Sequence, residues 1–411
     1  MSKVSIGEFK QLMNYYIKNN IKLKDNGFRT VAINAIGNAG LGKTSAIQQV
    51  AEENNMNFVK LNLSQLDELG DLIGFPIKKY QICKNNKCIW VTEKLLDSYL
   101  KAGYEITPEV EPIMSYAIPE WVPTDSDTGT ILLLDDFSRA DPRFIQATME
   151  LISVGEYLSW KLPDNCLLVL SSNPDDGEYQ VTSMDIAQKT RYVSFNIEFN
   201  IDEWVEWADN IGMNGIFINF FYMNWQEILK TSEAQSSRIN PRSMEMFFNS
   251  LYSIVDKLET EEGLKIISLI SKGCFDENDA SIIYSLFTQF ITNKYHKVIQ
   301  PEEIFDKEKD WKIIEKKICD FCIENEKVVL INISTLTNRV FNYVIKELND
   351  SKDKEFLSSR LIELLESDKE FMQEDSLFYN LTKKFDPSNI KHQDFQLKLL
   401  TNSKKIIEIL K

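Results

Sequence analysis

The run Gly37-Asn38-Ala39-Gly40-Leu41-Gly42-Lys43-Thr44 constrains this chain more than any other stretch. It follows a β-prone segment, residues 30–36, and leads into a predicted helix from about Lys43 to Asn54. Glycines 37 and 42 bracket four residues. Glycine lets the backbone curl until several amide N–H groups converge on one anion. The following helix N-terminus adds its partial positive charge. Strand, glycine-rich turn and helix together imply a cradle for nucleotide phosphates. All eight residues line it. Lys43 is expected to reach the β- and γ-phosphates of ATP, and the Thr44 hydroxyl to ligate Mg2+. Average residue usage gives the pattern by accident in roughly 1–2% of chains this long.

A second signal completes the first. Residues 130–134 are a near-continuous apolar run ending on Asp135-Asp136. Such runs fit central parallel strands buried on both faces, and ligands collect at the carboxyl edge of such strands. Asp135 is expected to hold the metal, and Asp136 to orient or deprotonate an attacking water. Further strands are predicted at residues 57–63, 166–171 and 192–198, with helices at 5–19 and 142–153. Strands alternating with helices indicate an α/β fold with a parallel sheet covered on both faces. Residues 77–91 alternate around Asn85-Asn86 and predict a β-hairpin. Residues 92–103 predict a helix, and 104–123 a loop punctuated by Pro108, Pro112, Pro119 and Pro123. Beyond about residue 200 the pattern is helical.

The chain has 411 residues, more than one core usually spans, so two or three domains are expected. The proposed division is an N-terminal helix at 1–25, an α/β nucleotide-binding domain at 26–200, a helical lid at 201–299 and a C-terminal helical region at 300–411. The formal charge of −16 repels phosphate backbones and argues against nucleic acid as the main partner. No apolar run approaches the roughly 20 residues of a membrane helix, and the first residues lack the apolar core of a signal peptide. No membrane association and a cytoplasmic location are expected. The six cysteines then read as reduced thiols. Cys83 and Cys88 flank a hairpin turn across which they could meet. Cys319 and Cys322 have metal-type spacing without a second pair. His296 and His392 stand in no motif and read as surface or packing residues.

The run Ile131–Asp141 resembles the Walker B segment of MoxR-like AAA+ ATPases. Residues 69–76, Leu-Gly-Asp-Leu-Ile-Gly-Phe-Pro, resemble that family's Asp-Leu-Ile-Gly loop. Residues 171–174, Ser-Ser-Asn-Pro, resemble its sensor-1 strand end, and residues 240–243, Asn-Pro-Arg-Ser, its sensor-2 start. Order and spacing agree over roughly residues 28–250, and the lid is similar to that of phage-encoded members. The resemblance implies an AAA+ P-loop core with a five-stranded parallel sheet, a helical lid and assembly into a ring, commonly a hexamer. It implies that Asn173 polarises the attacking water and that Arg242 touches the γ-phosphate from the lid. Arg191, in Lys189-Thr190-Arg191-Tyr192, takes the place of the arginine finger offered to the next subunit, although Thr190 stands where the family has aspartate. Arg139 is a second candidate for that contact. The family usually has glutamate where this chain has Asp136.

Residues 75–123 correspond to the family's helix-2 insert, expected to touch a protein client; a structural hairpin packed on the core is the other reading. A second insert, residues 155–163, contains Tyr157 and Trp160 and is a further candidate for a pore-facing hairpin. Partners with von Willebrand factor A domains are carried over from the family. Two other readings stay open: an ATP-gated oligomeric scaffold with little turnover, and, less favoured by the charge, a nucleic-acid motor. A small-molecule kinase would not need Asn173, Arg191 and Arg242 in this order.

Overall fold

The computed structural model describes residues 3–124, 128–176, 179–231, 238–294, 298–324, 327–328, 330–350 and 354–365, with residues 389, 392–395 and 397. Contacts divide the chain between Phe199 and Asn200. The first unit carries β1 (Lys3–Val4), α1 (Ile6–Asp25), β2 (Ala32–Ile36), α2 (Lys43–Glu53), β3 (Asn57–Asn62) and α3 (Leu69–Ile73). Next come β4 (Pro76–Lys84), β5 (Lys87–Thr92), α4 (Glu93–Lys101), β6 (Glu105–Ile106), β7 (Ile113–Tyr116) and β8 (Thr130–Asp135). It closes with α5 (Pro142–Val154), β9 (Glu156–Tyr157), β10 (Trp160–Lys161), β11 (Cys166–Ser172), α6 (Ile186–Lys189) and β12 (Tyr192–Ile197).

The main sheet runs β1-β12-β2-β11-β8-β3, parallel throughout. Every residue of β8 and β11 is buried, as expected for strands covered on both sides. Side chains alternate between faces with period two. Ile33, Ala35, Ile131, Leu133, Leu167 and Val169 join Phe9 and Met13 of α1 and Ile47 and Val50 of α2. Leu132, Leu134, Leu168 and Leu170 turn the other way, onto Phe144, Ile145 and Ile152 of α5. The α/β core is therefore present, with six strands where five were expected. The extra strand is β1, which pairs Lys3 with Asn196 and Val4 with Ile197 at the sheet edge. Two residues are too few to show a period, and Ser5 starts α1 directly with a capping box to Glu8.

The insert is an antiparallel sheet in which β4 pairs with β5, β6 and β7. The stretch 104–123, predicted as a loop, thus contains two short strands. Asn85 and Asn86 both adopt left-handed backbone, φ 52° and 61°, matching the twist of a two-residue hairpin turn. That register sets Cys83 directly opposite Cys88, and the two form a disulfide. The reduced-thiol expectation fails at this pair because the tight turn brings them together. Strands β9 and β10 form the second hairpin. Trp160 is buried there, edge-on to Trp121 at 5.6 Å, and its Nε1 donates to the Ile73 carbonyl at 3.0 Å. Trp160 is therefore a packing residue and not a contact residue; the exposed apolar side chain of this hairpin is Leu158.

The second unit carries α7 (Ile201–Asn210), α8 (Gly215–Thr231), α9 (Pro241–Leu251), α10 (Glu261–Cys274) and α11 (Glu277–Lys294). It continues with α12 (Pro301–Ile304), α13 (Trp311–Cys322), the short pair β13 (Ile323–Glu324) and β14 (Lys327–Val328), α14 (Leu330–Asp350) and α15 (Lys354–Leu365). Phenylalanines 217, 220, 221, 247, 248 and 287 are fully buried. A polar seam ties α14 to α7: Arg339 Nε donates to Asp209 at 3.2 Å, and the Asn342 and Asn338 amides donate to Asp209 at 3.1 Å and Asp202 at 2.6 Å. Buried charges need such partners. His296 and, within the predicted C-terminal region, residues 366–388 and 398–411 lie outside the described residues. His392 is buried. Among the described residues no helix is long and apolar enough to cross a membrane.

Candidate phosphate-binding and catalytic site

Strand β2 ends at Ile36, and the chain turns through Gly37–Gly42 into α2. Gly40 and Gly42 take φ of 82° and 87°, backbone that side-chained residues rarely adopt. No side chain caps the N-terminus of α2, and uncapped helix starts are the ones that hold anions. Lys43 is buried, and its Nζ donates to the carbonyls of Gly37 at 2.6 Å and Asn38 at 2.9 Å. The ammonium thus sits inside the curl of the loop. The Ala39 N–H donates to the Tyr179 hydroxyl at 3.1 Å.

Register delivers the acidic side. Asn62 of β3 lies opposite Asp135 of β8, Leu134 opposite Leu170 of β11, and Ser172 opposite Ile36. Loop, acid and sensor-like strand end therefore meet at one carboxyl edge. The Thr44 hydroxyl donates toward the Asp135 carboxylate at 3.3 and 3.5 Å from its two oxygens. Lys60 Nζ lies 2.9 Å from the same carboxylate. Burial alone would raise the Asp135 pKa; the hydrogen bond and charge of Lys60, with hydrogen bonds from Ser171 and the Asp136 backbone, hold it below the ordinary value. Asp135 is thus an anionic, buried carboxylate already bearing a cation, beside a hydroxyl. That donor set suits a hard divalent ion such as Mg2+.

Asp136 follows in left-handed backbone, φ 51°, at the start of a single 3-10 turn over Phe137–Arg139. The Asn173 N–H donates to Ser138 Oγ at 2.9 Å, which fixes the end of β11 against that turn. Thr182 ties the following segment to the same turn: its N–H donates to the Ser138 carbonyl at 2.7 Å and its hydroxyl to the Ala140 carbonyl at 2.8 Å. Arg139 is exposed.

Arg191 is not at this edge. It precedes β12, whose Tyr192 pairs with Ala32 at the start of β2, whereas Asn196 pairs with Ile36 beside the loop. At roughly 3.3 Å per residue the separation along the strand is about 17 Å. Its Nη1 turns back onto the Ala187 carbonyl at 2.5 Å. Arg242 is exposed on the first turn of α9 in the second unit, between the two residues of the Asn240–Ser243 capping box. Sequence reading missed Lys60 and Tyr179. Lys60 carried no signal except its place two residues before the end of β3, and Tyr179 carried none.

Burial pushes the thiols of Cys166 and Cys322 up to about 12. Among the described residues no group of three or more His, Cys, Asp or Glu side chains is placed to hold a metal ion.

No protein-family model matches the chain, and no curated protein matches it. Among solved structures it is similar to the RuvB Holliday junction branch migration motor of Thermotoga maritima. That alignment has 14% identity, covers 73% of this chain and 82% of that one, and has a TM-score of 0.34. A mutant of the same RuvB aligns at 13% identity over 73% of this chain and 83% of that one, with a TM-score of 0.36.

Proposed function

We propose that the chain is an AAA+ ATPase of the MoxR-like, phage-type kind, which hydrolyses ATP within a homo-oligomeric ring to remodel or help assemble a protein partner. The observation that carries this is the convergence of Lys43, Thr44 and Asp135 at one sheet edge, next to Asp136 and Asn173. In this reading the loop amides and Lys43 hold the phosphates, and Thr44 and Asp135 hold Mg2+. A bound Mg2+ supplies charge neutralisation on the phosphate oxygens. Asp136 takes the proton of the attacking water, and the Asn173 amide orients that water. Arg242 reads the γ-phosphate from the lid, and Arg191 is the finger given to a neighbour. A partner with a von Willebrand factor A domain is the client class proposed.

Native mass spectrometry with and without a slowly hydrolysed ATP analogue tests the ring. An analogue-dependent shift from monomer to a closed oligomer is expected. Monomer under both conditions would remove the basis for any trans role of Arg191.

The scaffold reading, in which bound ATP orders the oligomer and turnover is incidental, is favoured by one residue. Asp136 is one methylene shorter than glutamate, about 1.5 Å of reach. Misplacement on that scale costs about a hundredfold in rate. Asp136→Glu is therefore expected to raise kcat by about tenfold or more while nucleotide affinity stays within about twofold. A lower kcat in the variant would mean that the left-handed turn already places the shorter carboxylate. Phosphate release above about 0.1 per second by the natural protein, below typical enzyme rates, would count against the scaffold. A nucleic-acid motor is less supported than either, because the net charge of −16 opposes phosphate backbones.

A further inference from the structure

Strand β5 closes one edge of the insert sheet, whose order is β5-β4-β6, and among the described residues no strand pairs with its outer side. Register shows which backbone groups that edge leaves open. The two-residue turn Asn85-Asn86 makes the flanking Lys84 and Lys87 a hydrogen-bonded pair. Bonding then alternates, so Ile82–Ile89 and Tyr80–Val91 are bonded pairs, and Cys83–Cys88 and Gln81–Trp90 are not. Two observations agree. The Cα atoms of Cys83 and Cys88 are 4.1 Å apart, close to the ~4.5 Å of a non-bonded pair and well short of the ~5.5 Å of a bonded one. The Gln81 carbonyl accepts from the Thr107 N–H at 3.1 Å, on the side of β4 away from β5. The N–H and C=O groups of Cys88 and Trp90 therefore point out of the sheet, and both residues are exposed.

An open edge is a template for a further strand, which folds usually block with a proline, a bulge, a charge or a covering element. Strand β5, Lys-Cys-Ile-Trp-Val-Thr, has no proline, and its six consecutive pairs with β4 run without a bulge. Its one charge is Lys87, at the hairpin tip. The Cys83–Cys88 disulfide fixes the register beside that tip, so the edge is preformed.

Charge says what fits there. Residues 76–92 hold Lys78, Lys79, Lys84 and Lys87 and no Asp or Glu, in a chain of net charge −16. Lys84 Nζ donates to the Ala102 carbonyl, and none of the four has an ion pair among the described residues. Pairing two copies edge to edge would set two such hairpins about 4.8 Å apart, within the Debye length of about 8 Å, and their lysines oppose it. Single-stranded nucleic acid would satisfy the lysines, but its backbone has no N–H to give the Cys88 and Trp90 carbonyls. Resting on the reading that this chain acts on a protein partner, we infer that β5 is a docking edge. It takes an extended acidic segment of that partner as an added strand, bound through the Cys88 and Trp90 backbone.

The probe is a labelled ten-residue peptide alternating glutamate with valine, set against its lysine–valine counterpart. Fluorescence anisotropy follows both on the full-length protein without nucleotide. The glutamate peptide is expected to bind about tenfold tighter or more, since each exposed charge pair contributes up to about fivefold. Trp90→Pro removes an outward N–H that no strand of the sheet uses, so the hairpin keeps its own bonds. Against Trp90→Ala, which loses the same indole, it is expected to weaken the glutamate peptide by about threefold to tenfold, one neutral hydrogen bond. Hydrogen exchange on the natural protein needs no variant. The Cys88 and Trp90 amides are expected to exchange fast in the free protein and about tenfold slower or more with peptide bound, while those of Ile89 and Val91 are slow throughout. Equal binding of the two peptides, or Cys88 and Trp90 amides that gain no protection, would overturn the inference. So would tighter binding of a single-stranded oligonucleotide, or self-association that Trp90→Pro abolishes. Nucleotide is absent from every arm, so phosphate release, and its loss in Lys43→Ala, reports on the ATPase reading alone.

Discussion

Lys43→Ala is expected to weaken nucleotide binding by about a hundredfold or more and to bring phosphate release down to background. Each hydrogen bond from a charged donor contributes on the order of 1.5–3 kcal/mol, and in the proposed role one lysine serves both terminal phosphates. A hundredfold loss corresponds to about 2.8 kcal/mol. Its ammonium is buried and is hydrogen-bonded to the Gly37 and Asn38 carbonyls. The substitution therefore also removes an internal brace of the loop, so circular dichroism should accompany the binding measurement. Thermal shift gives an independent readout. ATP at a hundred times its Kd stabilises the natural protein by about 2.7 kcal/mol, and the same concentration should leave the variant nearly unmoved. Binding within about threefold of the natural protein would show that residues 37–44 are not the phosphate cradle.

Much of this site is written locally, which is why it is legible from residues alone. The cradle depends on glycine spacing and on a strand before it and a helix after it. The acidic edge depends on one apolar run, Thr130–Leu134, that ends on two aspartates. Each lies within one short stretch of sequence, residues 30–54 and residues 130–136. The strand order follows less directly, but buried runs at β8 and β11 and the loop after β2 leave few arrangements.

What stayed hidden is tertiary. Lys60 reaches Asp135 only because β3 and β8 pair with Asn62 opposite Asp135. Tyr179 reaches Ala39 across 140 residues of sequence separation. The buried pair of Ser172 Oγ and the Asn34 side chain, 2.9 Å apart, joins two strands that reading by hydropathy treats only as apolar. Asn338, Arg339 and Asn342 of α14 are buried polar side chains whose partners, Asp202 and Asp209, lie more than a hundred residues away in sequence. Trp160 errs the other way: an aromatic residue in a hairpin invites a contact role, and the indole is spent on Trp121 and Ile73.

Arg191 carries the second large expectation. An arginine side chain extends roughly 7 Å from its Cα. The parallel register of β12 with β2 leaves about 17 Å between Arg191 and the level of the phosphate loop, so Arg191 cannot serve the loop of its own chain. It is exposed, and its guanidinium donates to the Ala187 carbonyl within α6. Removing an arginine finger costs about a thousandfold or more in turnover where one acts in trans. Arg191→Ala is therefore expected to lose at least a thousandfold in kcat with nucleotide Kd within about threefold of the natural value. Mixing gives the decisive measurement. Lys43→Ala subunits lack a working cradle but keep Arg191; Arg191→Ala subunits keep the cradle. Mixed in equal amounts, they form interfaces in which an intact Arg191 faces an intact loop, and part of the activity should return, although each variant alone is silent. Silence at every mixing ratio, with mixed oligomers demonstrated by mass, would assign Arg191 a structural role at the end of α6 and shift the trans contact to Arg139, exposed on the turn that follows Asp136.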